Sequence, residues 1–344
     1  MLAQWPARAA AEIIAGGWSQ LPRGGVDAVG RPPPSNGELL GWLLVQPWRC
    51  LWDWWRHTTR YDTWNVGTVA IDALIRELRQ LGQLADVRWL PPRRRRYFLA
   101  DPFPYRYGGR SWLLVEEHGY PRSARSRISR LDITGGSADP KIEPAIVRDG
   151  HLSYPYTFHD AQHTYCAPEM SQHDGCIVYR LDEQGSWEPC HHVLPGREVV
   201  DPTFFRFEDR WWLLYTDKQA AGSLVLYAHY AGALAGPWVP HALNPLKWDL
   251  SSARPAGRVF TLGGRLYRPA QDCSETYGGA TVIMEILELT PSRFRETPAL
   301  RLEPDRHGPY PHGLHHLVVE ADRIYLHGKT RSYDNLLWLK NLFP

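Results

Sequence analysis

The sequence of 344 residues predicts an all-β fold, a five-bladed β-propeller preceded by a partly helical N-terminal extension. The first observation is a segment pattern that recurs five times, with copies that begin near residues 101, 153, 201, 254 and 313. The second is the spacing of the copies, about 50 residues, which is the length of one blade. The third is the content of each unit, several short strand-like runs separated by turn residues.

The two clearest copies begin at Asp101 and Asp201 and read DPFPYRYGGRSWLLV and DPTFFRFEDRWWLLY. Alternating apolar residues, a two-residue turn and a second apolar run predict a β-hairpin in each. The copies near Arg254 and Gly313 keep this turn, whereas the copy near Ser153 lacks it and is the weakest. Further strand-like runs at 128–133, 176–181, 224–230 and 281–289 supply the outer strands of the blades.

The last copy is short, because residues 333–344 supply one more strand after 324–326. A propeller must close its ring, so an N-terminal strand at 65–69 is expected to complete the last sheet. An apolar stripe of helical period predicts a helix over 71–84. Residues 1–60 are therefore expected to form a partly helical, proline-rich extension, and residues 61–344 the propeller.

The composition, with 43% hydrophobic and 22% charged residues, is typical of a soluble globular protein. A net charge of +2 predicts no nucleic-acid partner, and the basic run 93–96 is expected to be a solvated loop because two prolines precede it. The 16 Trp and 17 Tyr suit a packed β core or a sugar-stacking surface, and packing is favoured.

Five cysteines without CxxC spacing predict reduced thiols and a cytoplasmic location. No apolar leader is apparent, and the apolar run 39–45 is too short to predict a transmembrane segment. The segment 42–55 carries five tryptophans beside Arg49 and Arg56. It suits either docking on a membrane surface or packing against the main domain, and packing is favoured.

The inner strands of a propeller converge on a central funnel, so residues that begin each first strand are expected to ring one pocket. The repeat places there two carboxylates, one arginine, and tyrosine and histidine side chains: Asp101, Ser153 or Tyr154, Asp201, Arg254, and His312 or His315. A purely structural repeat does not require such a polar ring. The alternative is that each aspartate caps a turn before its proline.

Glu169, at the end of a second strand, is a candidate general acid because nearby aspartates would raise the pKa of its carboxyl. Glycosidic cleavage needs one protonated and one ionised carboxyl across the scissile bond. A surface or salt-bridged role is the alternative. Four further residues are assigned to substrate binding: Gln271, Asp272, Glu275 and Tyr277.

Arg254 is suited to clamp a carboxylate or phosphate, or to neutralise the two aspartates. His312, His315 and His316 have metal-ligand spacing, but without a second Cys/His cluster a structural or substrate-binding role is favoured, and no metal is predicted. The sequence contains no GxGxxG, P-loop or GxSxG element, and no cofactor is predicted.

The Asp-Pro repeats resemble the five-bladed propellers of glycoside hydrolase families 43 and 32, which act on furanosides such as arabinans and fructans. A longer set of motifs over residues 62–330 more closely resembles the N-terminal propeller domain of plant glucosamine inositolphosphorylceramide transferases. Similar bacterial domains occur in polysaccharide synthesis, some fused to sugar formyltransferases. The motifs are WNVGTV, RWLPP, FLADPF, HLSYPY, APE, DPTFF, GPWVPH, ARPAG, RPAQD and YGGA.

The hydrolase resemblance implies that Asp101 is a general base and that Asp201 orients substrate and tunes the acid. In the fourth blade those hydrolases carry a glutamate in a Glu-Gly-Pro setting, where this chain has Arg254 between Ala253 and Pro255. The acid would then have to be Glu169 or Glu275.

Three hypotheses for the function follow. The first, and favoured, is a glycosidase or transglycosylase that acts on a glycan or sugar conjugate with Asp101, Asp201 and Glu169. The second is a glycan-binding or scaffold module that serves a glycosyltransferase or formyltransferase in cell-surface polysaccharide or glycolipid synthesis. The third is a sugar-nucleotide-dependent transferase.

Overall fold

The computed structural model describes residues 34–71, 87–93, 97–119, 126–137, 139–160, 163–170, 174–220 and 223–333. Two compact units, 1–58 and 59–344, divide the chain close to the expected boundary. Most of the helix predicted over 71–84, residues 94–96 of the basic run and the last strand predicted over 333–344 lie outside the described residues.

The N-terminal unit contains helix α1, Asn36–Thr59. A capping box begins it: the Glu38 N–H donates to Ser35 Oγ at 3.3 Å, and the Ser35 N–H donates to the Glu38 carboxylate at 2.7 Å. Helical periodicity places Glu38, Arg49 and Asp53 on one strip and leaves a wide apolar face. Among the described residues, no helix has both the length and the apolar character needed to cross a membrane.

The large apolar side chains of the tryptophan-rich segment are 36% to 73% exposed. They are Leu39, Leu40, Trp42, Leu43, Leu44, Val45, Trp48, Leu51, Trp52, Trp54 and Trp55.

The second unit is built from strands that form five antiparallel sheets. In chain order the first eleven described strands are β1 Arg60–Ala70, β2 Arg88–Trp89, β3 Tyr97–Tyr107, β4 Arg110–Gly119, β5 Arg127–Asp132, β6 Ile142–Ile146, β7 Ser153–Asp160, β8 His163–Glu169, β9 Cys176–Leu181, β10 Trp187–Val193 and β11 Val199–Phe207. The others are β12 Arg210–Asp217, β13 Val225–Ala231, β14 Val239–Pro240, β15 Lys247–Trp248, β16 Phe260–Leu262, β17 Arg265–Asp272, β18 Ala280–Thr290, β19 Arg293–Leu302, β20 Gly313–Glu320 and β21 Arg323–Tyr333.

The sheets are the five predicted blades: β3 to β6, β7 to β10, β11 to β14 with β15 beside β13, β16 to β19, and β20 and β21 with β1 and β2. The predicted five-bladed propeller is confirmed. The ring closes through the last blade, where β1 pairs with β21 from Arg60↔Tyr333 to Ala70↔Arg323. The expected role of the N-terminal strand is therefore confirmed, and this pairing joins the two ends of the propeller.

Aromatic side chains pack between neighbouring blades. Phe158 of the second blade stacks on Phe204 of the third at 5.2 Å between ring centroids, and Phe103 of the first blade meets Tyr156 at 5.2 Å. The blades also approach closely as backbones: a Cβ at Gly257 would lie 1.9 Å from the Leu317 carbonyl oxygen. This seam between the fourth and fifth blades therefore requires glycine.

The first strands of three blades share a local distortion at their inner ends. Register shifts interrupt the pairing of β3, β7 and β11 with their neighbouring strands. Within each bulge Asp101, Tyr154 and Asp201 have positive φ of 49°, 44° and 49°, and each directly precedes a proline. Such backbone strain is concentrated at functional sites in proteins and is maintained by the surrounding structure.

Candidate active site

Asp201 lies at the centre of a buried charged cluster that joins three blades. Its Oδ2 accepts hydrogen bonds from Arg254 Nε at 2.5 Å and from Gln271 Nε2 at 2.9 Å. Its backbone N–H donates to Glu169 Oε2 at 3.3 Å, and Arg254 Nη2 lies 3.7 Å from that same oxygen. The structure therefore brings these four predicted residues, Asp201, Arg254, Gln271 and Glu169, together.

Asp101 supplies a second carboxyl from the first blade. Its Oδ2 accepts the Tyr154 N–H at 3.1 Å, and its Oδ1 lies 3.5 to 3.9 Å from ring nitrogens of His327, His316 and His315. The side chain is buried. Histidine rings therefore surround this carboxyl, and Arg254 pairs with Asp201 rather than bridging the two aspartates.

Burial is the main cause of the raised pKa values of Asp101 and Glu169. It raises the pKa of Asp101 to about 7, and the charge of Asp201 adds to the effect. Burial, followed by the charge of Asp201, raises the pKa of Glu169 to about 8, although the Arg254 guanidinium opposes this shift. At neutral pH the Glu169 carboxyl therefore holds its proton and is suited to donate it.

Proton positions along a histidine chain follow from one backbone hydrogen bond. The Asp101 N–H donates to His327 Nδ1 at 2.7 Å, so that nitrogen carries no proton. His327 Nε2–H then donates to His315 Nδ1 at 2.8 Å, which leaves the proton of neutral His315 on Nε2. Burial lowers the pKa of both rings well below the ordinary value, so they are neutral. His315 thus presents an N–H 3.9 Å from Asp101 Oδ1.

His327 was not singled out in the sequence, where it lies within an apolar second strand. Asp101, His315 and His327 are mutually close enough to hold a cation. Both ring nitrogens of His327 are engaged in hydrogen bonds, however, and cation binding would break one of them. The third histidine, His316, donates Nε2–H to the Pro102 carbonyl at 3.1 Å and packs against Phe103.

The side chain of Tyr154, predicted to bind substrate, is instead part of the core. It is 1% exposed, and its hydroxyl accepts the Gly257 N–H at 2.8 Å and lies 3.0 Å from Thr203 Oγ1. The phenol hydroxyl thus has its hydrogen-bond partners within the protein. It is the backbone N–H of Tyr154, within the bulge, that contacts Asp101. Tyr277 is 46% exposed, and its ring lies 5.2 Å from the Arg254 guanidinium and 5.0 Å from the His315 ring. It provides an aromatic face at the border of the charged cluster.

Three other predicted residues line a different cavity. Asp272, Glu275 and His312 border a space of about 270 Å³, together with the arginines Arg301, Arg306 and Arg331. Asp272 accepts a hydrogen bond from Arg301 Nε at 3.0 Å. The structure thus places them beside this cavity and not beside Asp101: Asp272 ends β17, and Glu275 and His312 lie in the loops that follow β17 and precede β20. The fifth blade contributes His315 to the funnel, whereas His312 faces this second cavity.

The raised carboxyl pKa values predict a pH dependence of stability. Their ordinary values are 3.8 for Asp101 and 4.5 for Glu169, so the folded state holds more protons than the unfolded chain and stability is lost as pH rises toward 8. Burial lowers the pKa of His316 from 6.5 to about 3, and its contribution is lost only as pH falls below 6.5. Between pH 6.5 and 8 the free energy of unfolding should therefore fall, by on the order of 1 kcal/mol.

Guanidinium denaturation at several pH values would measure this slope. Glu169→Gln, which cannot titrate, should have a smaller slope than the wild type. A wild-type stability that is flat or rises over this range would contradict the buried, protonated carboxyls.

Fold and site together define a five-bladed propeller protein with a buried cluster of carboxyl, histidine and arginine side chains. Residues 94–317 match the family described as "Glucosamine inositolphosphorylceramide transferase 1, N-terminal", and the chain belongs to this family. The resemblance seen in the sequence motifs is thereby confirmed, and the protein is a carbohydrate-related one.

Similar curated proteins carry the name glucosamine inositolphosphorylceramide transferase 1. The protein from Oryza sativa subsp. indica is 30% identical over 206 residues, which cover 58% of this chain and 28% of the relative. The protein from Arabidopsis thaliana is 31% identical over 219 residues, 61% of this chain and 28% of the relative. The matched region thus spans less than a third of the length of these relatives.

The solved structures that are similar to this chain include glycoside hydrolases. A thermostable family 43 enzyme has a TM-score of 0.45 at 13% identity and covers 61% of this chain and 78% of that chain. A family 117 enzyme produced by Zobellia galactanivorans has a TM-score of 0.46 at 12% identity, covering 70% and 85%.

Proposed function

We propose that the funnel binds the sugar part of a glycan or glycoconjugate and cleaves or transfers a glycosidic bond. The observation that carries the proposal is the convergence of three buried carboxyls, Asp101, Glu169 and Asp201, from three blades. Glu169, with a pKa of about 8, holds its proton at neutral pH, whereas Asp101, with a pKa of about 7, is ionised in about half of the molecules, and Asp201 is paired with Arg254. This is the division of roles that acid–base cleavage of a glycosidic bond requires.

In the proposed reaction, Glu169 donates its proton to the glycosidic oxygen as the bond to the anomeric carbon breaks. Ionised Asp101 removes a proton from the attacking water, or from an acceptor hydroxyl in transfer, as the new bond to that carbon forms. Asp201 maintains the high pKa of Glu169 through its charge and positions Arg254. The half-exposed ring of Tyr277 offers a face for the sugar.

The name of the relatives supports a narrower substrate class. The name, glucosamine inositolphosphorylceramide transferase, refers to a glycolipid with a phosphate in its headgroup, and a glycolipid of this class is included among the proposed substrates. Arg254 is the residue that would contact such a phosphate, because a guanidinium forms paired hydrogen bonds with phosphate oxygens. A cytoplasmic location is part of the proposal and is supported by the absence of disulfides among the five cysteines, all of which lie in described residues.

A second candidate function is glycan recognition without catalysis, as a module that serves a glycosyltransferase or formyltransferase. The observation in its favour is Arg254 itself, which pairs with Asp201 and lies 3.7 Å from Glu169. A carboxylate that is paired with a guanidinium is a poorer proton acceptor, and the pair presents a ready-made polar surface to a sugar.

The test is turnover and binding by the full chain with a panel of oligosaccharides, inositol-phosphate glycolipids and sugar nucleotides. Glu169→Gln should lower turnover of natural glycosides by about 100-fold or more, because the leaving oxygen is no longer protonated. Aryl glycosides with acidic leaving groups need no such proton and should be spared. Binding by both proteins without any turnover would exclude catalysis and leave the recognition module.

A further inference from the structure

A second cluster of ligand-type side chains joins the first and second blades. Glu116 and His118 are two residues apart on β4 and therefore lie on the same face of the sheet. His151 comes two residues before β7 of the next blade. Glu116 Oε1 lies 3.7 Å from His151 Nε2 and 4.0 Å from His118 Nδ1.

These separations are too long for direct hydrogen bonds but fit ligands that share a cation. One ligand atom from each of the three residues lies within 4.8 Å of the others. Neighbouring ligands of a tetrahedral zinc ion, each about 2.0 to 2.1 Å from the metal, are about 3.4 Å apart. To reach that spacing, Glu116 Oε1 would have to approach His151 Nε2 by about 0.3 Å and His118 Nδ1 by about 0.6 Å, and the two imidazoles, whose ligand atoms lie within 4.8 Å, would have to close by at most about 1.4 Å.

The charge balance at Glu116 also favours a cation. The residue is 7% exposed, and in the described ranges no arginine or lysine forms an ion pair with it. The neighbouring Glu117, on the opposite face of the strand, is paired with Arg127 at 2.8 Å. A buried carboxylate without a cationic partner is costly, and a bound metal ion would remove that cost.

One hydroxyl already lies within the cluster. Ser126 Oγ is 3.2 Å from Glu116 Oε1 and forms a short hydrogen bond with His118 Nδ1. A metal ion would replace the bond to His118 while the hydroxyl can still donate to Glu116, a contact that would orient the carboxylate.

We propose that Glu116, His118 and His151 form a binding site for a zinc-class divalent cation. Two imidazoles and one carboxylate are a ligand set that zinc accepts, and they leave a fourth position for water or for an oxygen of a bound ligand. Since ligands from two blades take part, the ion would also clamp those blades together. The site does not depend on the proposed glycosidic chemistry.

The experiment uses the full chain after treatment with a chelator, titrated with Zn²⁺ by calorimetry and with Co²⁺ by absorption spectroscopy. We expect one ion per chain, visible Co²⁺ bands typical of tetrahedral N/O ligation, and a rise in the melting temperature with Zn²⁺. Glu116→Gln and His151→Ala should each weaken Zn²⁺ binding at least 10-fold and abolish the thermal shift.

His159→Ala, which removes an exposed imidazole elsewhere on the second blade, is the matched control and should bind like the wild type. His151 is 40% exposed in its side chain, so its replacement should leave the fold intact. The proposal would be overturned if the wild type bound Zn²⁺ no more tightly than a single exposed imidazole does. It would also be overturned if Zn²⁺ binding were unchanged in both Glu116→Gln and His151→Ala. Loss of binding in His327→Gln but not in Glu116→Gln would place the ion at Asp101 instead and would equally overturn it.

Discussion

Replacement of Asp101 by asparagine is expected to lower glycan turnover by about 100- to 10,000-fold while binding of the same glycan persists. The substitution replaces the ionisable carboxyl, which a general base needs, by an amide that cannot accept the proton. It keeps the size of the side chain. Asparagine also tolerates the left-handed backbone conformation at this position, where φ is 49°. Its amide oxygen can still accept the Tyr154 N–H that Asp101 Oδ2 now accepts.

Initial rates and calorimetric binding constants, measured for wild type and variant with one glycan, test this expectation. Asp209→Asn, in the exposed turn between β11 and β12, is the matched control because it makes the same change away from the funnel. Equal turnover by Asp101→Asn and Asp209→Asn would remove Asp101 from the mechanism. Loss of binding together with turnover, in a variant that melts like the wild type, would assign Asp101 to recognition.

The second large effect is expected on stability, from Arg254→Met. The guanidinium is 14% exposed and is hydrogen-bonded to Asp201, and Glu169 lies close by. Its removal leaves a buried carboxylate without a cation, and breaking such a pair costs about 3 to 5 kcal/mol of unfolding free energy. Lower pH should restore part of the loss, because protonation neutralises the carboxylates that Arg254 now balances.

Denaturant titrations of Arg254→Met and of Arg206→Met separate this cost from the general effect of losing an arginine. Arg206 is 57% exposed and 3.8 Å from Asp160, so its loss should cost less than about 1 kcal/mol. Combining Arg254→Met with Asp201→Asn should recover much of the stability. Equal stability of the two single variants would show that the buried ion pair does not form in solution.

The ring of the propeller was predictable because each blade repeats one local pattern. Alternating residues and turn pairs identify the hairpins, and their even spacing gives the number of blades. The repeat also placed Asp101, Asp201 and Arg254 at equivalent positions, which is why their shared location could be anticipated. The repeat also relates two glutamates: Glu116 follows Asp101, and Glu169 follows Tyr154, by 15 positions each.

Other parts of the site depended on distances between blades. Tyr154 aligns with Asp101 and Asp201, yet its ring lies in the core, where its hydroxyl meets Thr203 of the third blade and the Gly257 N–H of the fourth. His327 reaches Asp101 across the closure of the ring, over 226 positions in sequence. A repeated pattern within one stretch of sequence cannot predict such a long-range contact.

By itself, the sequence determined the fold class, the number of blades and the strand that closes the ring, because each follows from a repeated local pattern. The tertiary structure alone decided which partners the carboxyls have: Arg254 on Asp201, the His327–His315 chain beside Asp101, and the cluster of Glu116 with two histidines. The reason is physical. Burial and distance set pKa values, proton positions and metal-ligand spacing, and both are properties of blades packed around a common axis rather than of any one strand.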